Sequence, residues 1–141
     1  MRYLEDFRVG DVYELGSTQV RTSEIIGFAE QFDPQLPHLE GSLASGWHVA
    51  AVFMRLYVAA VLGNTPAVSP GIDELRWLRP VRSDDTLTGR VTVLEISPSP
   101  FQRDSGIVRQ RGELRDRSGL PVLSMTFYGL FRRMQNVGSV L

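Results

Sequence analysis

Apolar and polar positions alternate along most of this chain, and one long stretch breaks the rhythm. Residues 11–21 (DVYELGSTQVR) alternate loosely and predict a first strand. Thr22-Ser23-Glu24 reads as an N-cap region, after which Ile25, Ile26, Phe28 and Phe32 are spaced for a short amphipathic helix ending near Asp33-Pro34. Pro34 and Pro37 then impose an extended or turn path. From Ser45, the expected N-cap, to Leu62, a nearly uncharged run predicts a long helix stopped by Gly63-Asn64. Ala50, Ala51, Ala59 and Ala60 lie among larger apolar residues, so this helix is apolar on nearly every side. Such a helix is expected to be buried on nearly every side, with a sheet approaching across its small residues.

The remainder is strand-like. Residues 72–79 are closed by Pro80, residues 81–85 (VRSDD) make a turn, and residues 86–96 alternate again. A polar loop over 97–106 leads to strands at 107–117 and 120–133, joined at Ser118-Gly119. Short connections argue for antiparallel pairing rather than parallel units joined by helices. The order β–α–α–β–β–β–β predicts an α+β fold, a curved antiparallel sheet wrapped around one long central helix. With no repeat, low-complexity tract or internal linker, residues 1–141 are expected to form one domain.

Composition narrows the function classes. Hydrophobic content of 43%, charged content of 22% and a net charge of −1 are those of a globular protein without a nucleic-acid footprint. The absence of cysteine removes disulfides, thiolate catalysis and Cys-ligated metals, and fits a reducing, cytoplasmic setting. The N-terminal MRYLEDFRVGD lacks an apolar signal region, and residues 47–62 contain Arg55 and are too short for a bilayer, so no membrane association is expected. Only His38 and His48 are present, without ligand spacing, so no metal site is expected.

Chemistry gathers at the start of the apolar run. Asp33 and His38 stand five residues apart, and Ser45-Gly46 opens the helix shortly afterwards. A potential acid/base pair therefore lies beside a helix N-terminus, whose free N–H groups stabilise developing negative charge. Each residue has a plainer reading as well. Asp before Pro is equally a turn opener, a lone His is commonly structural, and Ser45 is better read as a cap than as a nucleophile, though its hydroxyl could line the site. Packing is the favoured reading for Trp47, and a supporting or structural role for His48. Arg103, Arg109, Arg111, Arg115 and Arg117 fall largely at period two and read first as a solvated strand face.

The segments FDPQLPH, ASGWH and RWLRPVRSDDTLTGRVTVLE resemble the MaoC-like dehydratases of the hot-dog fold, from about Phe7 to Arg133. The family's hydratase motif runs Asp-x-Asn-Pro-Leu-His. Asp33 and His38 match its two catalytic positions, while Gln35-Leu36-Pro37 replaces Asn-Pro-Leu. Gly46 resembles the glycine of the helix-opening turn. The link from His38 to Ser45 is shorter than is usual in the family, which implies a trimmed, more open site or a loop absent from this sequence.

The resemblance implies homodimers joined sheet edge to sheet edge, or higher oligomers of such dimers. It also implies acyl-CoA thioester substrates and addition or removal of water across a C2–C3 double bond, as in an (R)-specific type enoyl-CoA hydratase. No cofactor is implied beyond the coenzyme A carried by the substrate. In this scheme Asp33 and His38 share one water, and the Gly46 N–H polarises the thioester carbonyl. Among the arginines, including Arg76 and Arg79 beside Trp77, one or two are candidates for the coenzyme A phosphates. Two alternatives stand beside hydration: a hot-dog acyl-CoA thioesterase, although residues 47–62 hold no carboxylate, and a non-catalytic acyl-thioester-binding subunit.

Overall fold

In the computed structural model, which describes residues 1–134, five strands form one antiparallel sheet. The strands are β1 (Val12–Gln19), β2 (Ile72–Trp77), β3 (Thr86–Pro98), β4 (Ser105–Arg115) and β5 (Pro121–Arg132), in the spatial order β1-β3-β4-β5-β2. Three helices lie between β1 and β2: α1 (Thr22–Phe32), α2 (Leu36–Leu39) and α3 (Gly46–Tyr57), the last prolonged by a π-helical turn over Val58–Leu62. The domain expected over 1–141 extends beyond the described residues after position 134.

Period-two alternation sets the sheet's two faces. On β4, Val108, Gln110, Gly112 and Leu114 point inward and are buried, while Arg109, Arg111 and Arg115 point outward. The arginine stripe is a solvated face, with Arg109 Nε 3.6 Å from the Asp73 carboxylate and Arg115 paired to Glu113 at 2.8 Å. Exposed pairs of this kind contribute little to stability.

The sheet curves over one face of α3, burying Val49, Val52, Phe53, Leu56 and Tyr57. Each fully buried apolar side chain of this size contributes about 1.5–3 kcal/mol. The opposite face departs from the expectation of burial on nearly every side: Trp47 is 61% exposed and Met54 49%, with Ala51 and Val58 in the same stripe also exposed. One sheet covers one side of a helix, and the apolar character of the other side calls for a different cover. The exposure of Trp47 likewise corrects its reading as a packing residue.

Local departures have local causes. The N-cap of α1 is Arg21, not Thr22, because the Thr22 hydroxyl hydrogen-bonds Ser83 across to the loop before β3. Pro37 sits inside the first turn of α2, where its missing N–H leaves nothing unpaired, so the segment expected to be extended contains one helical turn. The short link between α2 and α3 closes through Gly41 at φ +79°, where a Cβ would stand 2.7 Å from Thr22 and 3.0 Å from Ile26. Only glycine combines that dihedral with that approach. The chain is continuous from His38 to Ser45 and reaches the site with no inserted loop.

Candidate active site

Asp33 is the C-cap of α1, His38 lies on α2, and Ser45 and Gly46 open α3. Packing α1 and α2 against the start of α3 brings all four to one place. Asp33 Oδ2 accepts a 2.6 Å hydrogen bond from the Ser45 hydroxyl, and Oδ1 accepts one from Gln35 Nε2 at 2.5 Å. His38 Nε2 stands 3.5 Å from Asp33 Oδ2, with the two side chains only 12% and 16% exposed. On the other side of the ring, Nδ1 is 2.6 Å from the Leu43 carbonyl oxygen. A carbonyl oxygen only accepts, so Nδ1 carries a proton, and Nε2 is the ring atom turned toward the carboxylate. Both atoms border the groove, so a small molecule lying beside the pair could hydrogen-bond to each of them.

The donor from Ser45, and next the donor from Gln35, hold the Asp33 carboxyl below the usual carboxylate range, against a smaller opposing effect of burial. Asp33 is therefore ionised at neutral pH. Ser45 is the N-cap of α3 as expected, but its hydroxyl goes to Asp33 instead of making a capping bond, so the N–H groups in the first turn of α3 receive none from it. Gly46 is the first residue of that turn, one peptide unit from the Ser45–Asp33 bond. Its missing side chain is enforced by Trp77, the last residue of β2, whose indole N–H donates to the Gly46 carbonyl at 2.6 Å. A Cβ on Gly46 would lie 2.7 Å from that indole ring.

An open groove of about 470 Å³ joins these parts, with Ala44, Val49 and Val81 as its buried apolar floor and Trp77 and Trp47 at its rim. The two indoles meet edge to face, centroids 5.1 Å apart. Arg79 also lines the groove and donates to the Pro121 carbonyl, whereas Arg76 is paired to Glu74. Sequence reasoning missed three participants: the Leu43 carbonyl, the Gln35–Asp33 bond, and Trp77 as the residue that seats Gly46. Backbone carbonyls leave no mark in a sequence. A tryptophan ending a charged edge strand was a signal for the third.

Removing the Ser45 donor tests the electrostatic account. In Ser45→Ala, Asp33 loses its strongest stabilising bond, so its pKa should rise toward the ordinary carboxylate value, read by carboxyl-carbon NMR titration. An unchanged Asp33 titration would contradict the bond; because the depressed Asp33 pKa stabilises the fold at neutral pH, the variant should also melt lower than wild type at pH 7, the gap narrowing as pH falls through the carboxylate range.

His48, in the first turn of α3, is 7% exposed, stacks on Phe28 at 5.1 Å with an interplanar angle of 10°, and leaves Nδ1 without a partner. Burial pushes its pKa below the ordinary imidazole value of 6.5, opposed by the smaller pull of Glu24. The unfolded chain thus takes up this proton at higher pH than the folded one, so the neutral ring's contribution is complete above about pH 6.5 and is lost as pH falls through the depressed value. Stability measured by urea unfolding should decline between pH 7.5 and 5.5, and less steeply in His48→Gln. Parallel profiles for the two proteins would refute this.

A curved antiparallel sheet wrapped on one long central helix is the hot-dog architecture. Among solved structures, a MaoC-like dehydratase from Rhodospirillum rubrum superposes with a TM-score of 0.86 at 33% sequence identity, covering 96% of this chain and 100% of its own. The chain belongs to the MaoC-like dehydratase family. An (R)-hydratase from Pseudomonas aeruginosa shares the fold with a TM-score of 0.72 at 20% identity, over 94% of this chain and 86% of its own. An uncharacterized Bacillus subtilis protein, YdeM, is 28% identical over 106 residues, 67% of this chain and 75% of its own. No family model matches the chain.

Proposed function

We propose that this protein adds water to, or removes it from, the C2–C3 bond of an acyl-CoA thioester. The observation that carries the reading is the Asp33 carboxylate, fixed by Ser45 at 2.6 Å and facing His38 Nε2 at 3.5 Å, beside the uncapped start of α3. In hydration, a water in the groove beside the two groups, hydrogen-bonded to both, gives its proton to Asp33 as its oxygen bonds to C3, while His38 orients it. The electron pair of the C2–C3 double bond moves toward the thioester carbonyl, where the Gly46 N–H and the positive end of α3 stabilise the enolate oxygen. A proton returned from the dyad to C2 completes the addition, and dehydration runs the same steps backward.

The test is a panel of enoyl-CoA thioesters, followed by loss of the conjugated absorbance. Activity on at least one member is expected. Release of free thiol instead would favour the thioesterase alternative, which the absence of any carboxylate from residues 47–62 argues against. Saturable binding without turnover would favour a binding subunit.

The assembly belongs to the same reading. β2 is an edge strand bearing exposed Ile72 and Trp77, and it adjoins the exposed apolar stripe of α3. A second copy joined at this edge would cover both and complete the groove rim. Light scattering should give twice the chain mass. Among the described residues no helix is long and apolar enough to cross a membrane.

A further inference from the structure

The groove beside the dyad carries two opposite charges. Its lining includes one carboxylate, Asp33, and one guanidinium, Arg79, over the apolar floor. Arg79 follows the end of β2 by two residues, and pairing with β5 persists to Leu78, whose N–H donates to the Val122 carbonyl at 2.9 Å. Arg79 Nη1 donates to the Pro121 carbonyl at 3.1 Å, which anchors the head group through one of its N–H donors. Among the described residues no carboxylate is ion-paired with it. Arg76 and Arg109, by contrast, are paired with Glu74 and Asp73. A guanidinium anchored at one nitrogen and lacking a counter-ion offers its remaining donors as a planar fork, which fits a carboxylate or a phosphate.

Distance from the reacting carbons separates these two ligands. Trp77 touches Gly46 through its 2.6 Å hydrogen bond, and two residues of extended chain carry Arg79 only about 7 Å beyond Trp77. The phosphates of coenzyme A are held away from the thioester sulfur by the pantetheine arm, roughly 14 Å long, the length of about four extended residues. A carboxylate on the acyl group, one or two carbons beyond C3, falls in the shorter range. Asp33, ionised at neutral pH, repels such a group while Arg79 attracts it, so the two charges orient the acyl chain with its acid end at the arginine. Arg79 is exposed at the groove edge, so water and salt weaken a simple ion pair there, and the two-pronged geometry supplies the selectivity.

We propose that Arg79 is a specificity-determining residue that receives a carboxylate at the far end of the acyl group, so that the preferred substrates are mono-thioesters of dicarboxylic acids. This rests on the acyl-thioester reading above.

The experiment compares an enoyl thioester ending in a carboxylate, (E)-glutaconyl-CoA, with its uncharged terminal amide. For the wild type, kcat/KM on the acid should exceed that on the amide by about tenfold or more, as expected of a hydrogen-bonded charge. Arg79→Gln should lower the acid-to-amide ratio by about tenfold, and Arg79→Lys, which keeps the charge without the fork, should fall between. Equal kcat/KM on acid and amide in the wild type overturns the proposal, as does an unchanged ratio in an Arg79→Gln variant that melts like the wild type. An Arg79→Gln loss seen on crotonyl-CoA but not on crotonyl-pantetheine, with the acid-to-amide ratio unchanged, also overturns it, because the arginine then serves the coenzyme A phosphates. Calorimetry of glutaryl-CoA and its terminal amide needs no turnover. Tighter binding of the acid in the wild type, lost in Arg79→Gln, upholds the proposal even if no enoyl thioester reacts, in which case the hydratase reading alone falls. Equal binding of the two overturns it, and no gain of either over free coenzyme A overturns both.

Discussion

Asp33→Asn is expected to lower kcat for hydration by about 10³-fold, within the range for losing a positioned general base, while leaving the fold intact. The carboxylate accepts two hydrogen bonds, one per oxygen, from Ser45 and Gln35. An asparagine offers one acceptor and one donor in the same shape, and both neighbours can adapt: the Ser45 hydroxyl rotates to accept, or the Gln35 amide flips to present its oxygen. Geometry is thus kept and only basicity is lost. The measurement is kcat on crotonyl-CoA, with the melting temperature as control. Near-wild-type turnover at an unchanged melting temperature would remove Asp33 from the chemistry and with it the proposed reaction.

Gly46→Ala is the second large effect. The added Cβ lies 2.7 Å from Trp77 Cε2 and 2.8 Å from Nε1, so the indole or the helix start must move, and the 2.6 Å bond from Trp77 to the Gly46 carbonyl cannot survive unchanged. Overpacking of this kind costs about 1–3 kcal/mol of stability. If the Gly46 N–H serves the enolate oxygen as proposed, displacing it should lower kcat by about 10²-fold or more. The two losses separate in a double-mutant cycle with Trp77→Leu, which gives the methyl group room. Stability should be regained in the pair, whereas the rate should not, because Trp77 also seats the glycine. A stability loss that Trp77→Leu leaves untouched would refute the contact.

Much of this molecule was legible in the chain. The alternation over 86–96, 107–117 and 120–133 marked three strands that the structure places at 86–98, 105–115 and 121–132. The long apolar run marked the central helix, and Gly63 ended it. The residues proposed for chemistry, Asp33, His38, Ser45 and Gly46, do come together, and Ser45 takes the N-cap position expected of it while its hydroxyl goes to Asp33 rather than to the helix. Its residue type suits an N-cap, and nothing local says that a carboxylate from another helix will claim its hydroxyl. Pro37 misled for a related reason: a proline excludes the middle of a helix but not its first turn.

What the sequence determined by itself is what short-range physics encodes. Period two and period 3.6 set the strands and helices, and the spacing of Asp33 and His38 marked a site beside a helix start. Only the tertiary structure decided which partners those groups keep. It gave Ser45 to Asp33, the Leu43 carbonyl to His38, Trp77 to Gly46 and Phe53 to the sheet backbone at Gly112. It also left one face of α3 uncovered. Apart from the His38–Leu43 contact, which spans five residues, these contacts join residues on different elements, and their geometry follows from how helices and sheet pack, which no local pattern records.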